Sequence, residues 1–167
     1  MESWRTVWRE GFAPVLSLAG LEALRDALTA DDDRLTQGST TTPPPLMCVR
    51  DWPVEAGCAL GYCGAVENGG FMEATVGQCE EFFAKCCFEA DQALGEPAAC
   101  RHFLNWFDDT PRDEMRRELL AEVELALAGR AQAAWVTRGV GSAPPAGGTP
   151  AAPPARPSSS PAVPSAR

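Results

Sequence analysis

The chain has 167 residues, 45% of them hydrophobic, and a net charge of −9, a length that suits one ordinary domain. All 23 acidic residues lie at or before Glu124, and no Lys/Arg cluster offsets them, so nucleic acid and anionic membrane are not expected as partners. No apolar run approaches the roughly 20 residues that span a bilayer.

Thirteen arginines stand against one lysine, Lys85, a bias of GC-rich genomes that carries no functional weight. The first residues hold Arg5, Arg9 and Glu10 without an apolar stretch, so no export signal is expected. The expected location is cytoplasmic, with the seven cysteines as free thiols. Their odd number also counts against a complete disulfide framework.

In chain order, Ser3 opens a short amphipathic turn with Trp4, Val7 and Trp8 on one face and Arg5 and Arg9 opposite. Gly11 and Pro14 are expected to end it. Ser17 then caps a helix whose stripe is Leu18, Leu21, Leu24, Ala27 and Leu28. Asp31, Asp32 and Asp33 would sit at its negative dipole end, so they read as a turn. Residues 34–51 include Pro43, Pro44 and Pro45, which predict an extended segment crossing the core. Pro53 is placed for the first turn of a short helix over 53–62, framed by Gly61 and Gly64.

The clearest element is a helix over 76–94. Thr75 and Gln78 form its capping box. Val76, Cys79, Phe82, Phe83, Cys86, Cys87, Ala90 and Leu94 make one stripe, and Gly95 stops it. Pro97 starts a further helix to about Asp108, and Thr110-Pro111 opens another over 112–128 that Gly129 can end. Residues 131–138 read as a frayed extension. From Gly139 onward the Ala/Pro/Gly/Ser-rich sequence cannot bury enough surface to order itself. The expected architecture is all-α: four main helices, a short N-terminal helix, a Pro-rich crossing loop and a disordered tail. The folded domain is placed at 1–130, with the frayed helix end and tail at 131–167.

Chemistry-bearing patterns are sparse. The spacings Cys58-x4-Cys63, Cys79-x6-Cys86 and Cys100-x-His102 lack a zinc knuckle. On a continuous helix Cys58 and Cys63 would point about 140° apart, and Cys100 and His102 about 200°. Cysteines on the phenylalanine stripe read as packing. No metal or cofactor is expected. A thiol nucleophile would have to be Cys63, between Gly61 and Gly64 at a predicted helix end, paired with His102, the single histidine. A helix C-terminus raises rather than lowers a thiol pKa, so no catalytic residue is assigned.

The predicted helix carrying Cys100 has two faces. Ala99, Cys100, Phe103, Leu104 and Phe107 point inward, while His102, Asn105, Trp106 and Asp109 make the expected binding patch. The competing expectation packs Trp106 under the N-terminal turn or the crossing segment. The functional expectation is a non-enzymatic protein-interaction module using that patch, with exposed Trp4 and Trp8 as a further option. A thiol enzyme or redox sensor built on Cys63 and His102, and a small Cys/His metal-binding protein, are the alternatives.

Overall fold

A computed structural model describes residues 3–38 and 50–139, with side chains up to residue 136. Most of the expected Pro-rich crossing segment, and the expected tail beyond Gly139, lie outside the described residues. The described chain is helical, as expected, with isolated bridges between Leu35 and Gly57 and between Pro53 and Thr75 as the remaining regular pairing. Helix α1 covers residues 3–15 and changes register inside itself, with an α turn at Ser3–Thr6, a π-helical stretch at Val7–Phe12 and an α turn at Ala13–Val15. Next come α2 (Leu18–Ala30), α3 (Ala59–Glu67), α4 (Val76–Leu94), α5 (Cys100–Asp109) and α6 (Arg112–Gly139).

Local signals set most boundaries. Ser17 Oγ accepts from the Gly20 amide at 2.9 Å and caps α2, which ends where Asp31 turns left-handed with φ 54°. Thr75 and Gln78 form the reciprocal box on α4, and Gly95 with φ 65° ends it. The N-terminus of α5 is capped from outside its own sequence. Asp91, on α4, accepts from the amides of Ala98 and Cys100 at 3.0 and 2.8 Å.

Three expectations fail locally. The short helix is not at 53–62 but at Ala59–Glu67, because residues 50–54 pair through backbone hydrogen bonds with 72–77. There the Val54 amide bonds to the Ala74 carbonyl and the Val76 amide to the Trp52 carbonyl, both at 2.9 Å. That pairing takes the bonds a helix would need. Helix α1 passes both Gly11 and Pro14. A π turn leaves a carbonyl without an intrahelical donor, so the N–H that Pro14 lacks is tolerated there. Gly129 does not end α6, because the roughly 1 kcal/mol that a mid-helix glycine costs is outweighed by anchors on either side.

The core is built around Phe103, whose ring centroid lies 5.5 Å from Trp8, 5.2 Å from Phe12 and 5.9 Å from Phe107. Trp4 and Trp8 are buried, which overturns the option of an exposed N-terminal pair. Cys58, Cys63, Cys86 and Cys100 belong to this core, and Cys79 joins a smaller cluster with Val54, Ala65, Ala74 and Val76. Helix α1 reaches α4 at van der Waals distance through Gly11, where a Cβ would sit 2.7 Å from Ala90 Cβ.

Helix α6 acts as a strut for the rest. Arg116 is anchored on α2. Its Nε donates to the Leu28 carbonyl at 3.0 Å, while Arg112 donates to the Leu35 carbonyl at 2.8 Å and the Asp32 carbonyl at 3.1 Å. Asp31 pairs with both arginines, at 2.8 and 3.0 Å, so two guanidiniums neutralise the C-terminal end of α2.

Candidate functional site

Helix α5 positions the residues that the sequence singled out for binding, but does not gather them. Trp106 is half-buried and stacks on Trp4, with centroids 3.5 Å and planes 5° apart. Its indole therefore belongs to the packing between α1 and α5. His102, Asn105 and Asp109 are exposed. His102 Nε2 lies 3.4 Å from Glu96 Oε1, a surface pair in which the histidine keeps 46% of its side chain in water. Such pairs contribute little.

Cys63 stands in the middle of α3 rather than at a helix end, and it is 0% exposed. Its thiol donates to the Gly20 carbonyl at 3.5 Å, and burial pushes its pKa far above the ordinary thiol range. Cys79 and Cys86 are raised by burial to about 11 and about 12. No bond joins Cys63 to His102 among the described residues. Nor do three His, Cys, Asp or Glu side chains group there closely enough to hold a metal ion.

Polar groups converge elsewhere, where α1 meets the middle of α6. Glu122 is 2% exposed and its carboxylate is held by two arginines of α1. Arg9 reaches it with Nε at 2.6 Å and Nη2 at 2.7 Å, and Arg5 with Nη1 at 2.5 Å. Arg5 also reaches Glu118 at 3.0 Å. Hydrogen bonds from Arg9, then Arg5, hold the Glu122 pKa below the ordinary glutamate range against the opposing effect of burial. Two turns further along, Arg130 Nη2 donates to the carbonyls of Ala13, Pro14 and Leu16 at the end of α1.

Clefts open on both flanks of Arg130. The first, about 480 Å³, lies between α1 and α6 and is walled by Ala13, Pro14, Leu125, Ala126, Gly129 and Ala133, with Arg9, Glu122 and Arg130 as its polar groups. The second, about 620 Å³, lies between α2 and α6 and includes Leu18, Leu127, Ala131 and Ala134. Beyond them α6 continues with every side chain from 131 to 136 exposed, Trp135 at 76% and Val136 at 57%. Exposed Val15, Leu18 and Leu125 belong to the same part of the molecule.

The sequence carried a partial signal for this region: Trp135 in a stretch with few charges. Gly129 masks it, because a glycine there reads as a helix end. The Glu122–Arg9 pairing, 113 residues apart in sequence, had no local signature. Comparison with protein-family models, with curated proteins and with solved structures finds no match to the chain.

Proposed function

We propose that the chain is a non-enzymatic protein-interaction module that docks an amphipathic helix of its partner along the outer side of α6, from Leu125 to Val136. The carrying observation is Trp135, a large indole 76% exposed on a helix that extends past the helices supporting it. Tryptophan is enriched among the residues that dominate binding energy, and contiguous exposed apolar surface marks interaction sites. Residues 125–136 contain one charge, Arg130, which is turned inward onto α1. A neutral, aliphatic and aromatic surface on a chain of net charge −9 suits an apolar helical face with anchors at i, i+3 or i+4, and i+7. The patch thus moves from Trp106 to Trp135, because Trp106 already has an aromatic partner in Trp4.

A photo-crosslinking residue at the exposed Gln132, compared with one at the exposed Ala84 on α4, tests the placement. The expected result is a protein captured from position 132 but not 84, whose purified form then binds the wild-type chain and loses at least tenfold in affinity to Trp135→Asp. A partner that binds both chains equally would refute the reading.

A further inference from the structure

We infer that the cleft between α1 and α6 is a binding site for a small amphiphilic monocarboxylate, with its head on Arg9 and Arg130 and its aliphatic body along Pro14, Leu125 and Ala133. The cleft's volume, about 480 Å³, falls in the range of small-molecule sites, roughly 300–1,000 Å³. Its make-up is also typical: mostly apolar walls with a few polar groups, Arg9, Glu122 and Arg130.

The polar groups select the ligand's charge. Both Glu122 oxygens are engaged by Arg5 and Arg9, so this carboxylate has little acceptor capacity left to offer a ligand cation. Arg9 uses Nε and Nη2 on Glu122, which leaves Nη1 without an acceptor among the described residues. Arg130 uses Nη2 on three carbonyls, which leaves Nε and Nη1 without an acceptor among the described residues. Guanidiniums that already hold one acceptor in a fixed position are oriented for a second, and carboxylate fits their planar donor geometry. Counting Arg9, Arg130 and Glu122, the lining carries one net positive charge in a chain of net charge −9. An anionic head is therefore drawn here, whereas most of the remaining surface repels it. Apolar walls on either side add an aliphatic body to the requirement, which inorganic anions lack.

This inference does not rest on the docking of a partner helix. The cleft borders the proposed docking surface at Leu125 and Ala133, but it opens toward α1 and Trp135 is not among its lining residues.

Octanoate titrated into the purified full chain, followed by calorimetry and ligand-observed NMR, is the direct test, with 1-octanol, octylamine and inorganic phosphate as comparison probes. A Cβ at Gly129 meets open space, so Gly129→Phe fills the cleft without removing either arginine. Ala133→Leu is a second block on an exposed position should the first variant melt early. The expected result is saturable octanoate binding at least tenfold tighter than that of octanol, octylamine or phosphate, and reduced at least tenfold by whichever blocking variant retains the wild-type melting temperature. Octanol binding as tightly as octanoate, phosphate binding as tightly as octanoate, unchanged affinity in the folded blocked variant, or no saturable octanoate binding would each overturn it.

Discussion

Trp106 lies face to face with Trp4, with ring centroids 3.5 Å apart and planes 5° from parallel. The contact joins α5 to the first turn of α1 and sits against Phe103, which is 5.9 Å from Trp106 and 6.4 Å from Trp4. Trp106→Ala therefore removes a core contact rather than a surface anchor. The expected loss is about 2–3 kcal/mol, below the figure for a fully buried tryptophan because Trp106 is only half-buried. Urea denaturation checks it. A midpoint equal to wild type would place the ring in solvent.

Glu122 joins α6 to α1 through Arg5 and Arg9, and removing the buried carboxylate leaves both guanidiniums without their main acceptor. Glu122→Ala is expected to lose about 3 kcal/mol. Its folded pKa is lowered, so the unfolded chain binds more protons and stability rises with pH across its titration. The contribution is complete above the ordinary glutamate value of about 4.3 and disappears as pH falls through the depressed folded value. Glu122→Gln should flatten the stability profile below about pH 4.5 relative to wild type. Denaturant melts from pH 2 to 7 measure both limbs.

Cys63 is sealed beneath Gly20, and burial disfavours its thiolate. Native protein treated with iodoacetamide at pH 8 is expected to label Cys63 at least about a thousandfold more slowly than urea-unfolded protein, because reaction must await opening. Peptide mass spectrometry assigns the site. Native labelling at the rate of a model thiol would reopen the role of this cysteine as a nucleophile.

Two glycines predict opposite outcomes. A Cβ at Gly11 would collide with Ala90 Cβ at 2.7 Å, whereas a Cβ at Gly129 meets nothing. Gly11→Ala should destabilise by about 1–3 kcal/mol as α1 is pushed from α4. Gly129→Ala should stabilise by up to about 1 kcal/mol, the difference in helix propensity. Paired thermal melts read both signs.

The fold was legible in the sequence where local chemistry decides it. The Ser17 cap, the Thr75–Gln78 box, the Gly95 stop and the apolar stripes of α4 and of α2 (save the exposed Leu18) all act within a few residues. What was not legible depends on partners far along the chain. Pro53 reads as a helix start until the strand-like pairing of Val54 with Ala74 takes its neighbours' bonds. Arg116 reads as a surface charge until the C-terminal carbonyls of α2 arrive beneath it. Asp91 shows its role only when the amides of Ala98 and Cys100 are in place. Of the candidate patch, the exposure of His102, Asn105 and Asp109 follows from helical periodicity, but the capture of Trp106 by Trp4 required the tertiary path of α1.

The most direct test labels the five tryptophans with 5-fluorotryptophan and follows their ¹⁹F resonances while the partner captured at position 132 is added. The expected result is a saturable shift of the Trp135 resonance, assigned by substitution, with Trp4 and Trp8 unmoved inside the core. A complex that forms while the Trp135 resonance stays in place would contradict a docking surface on the outer half of α6.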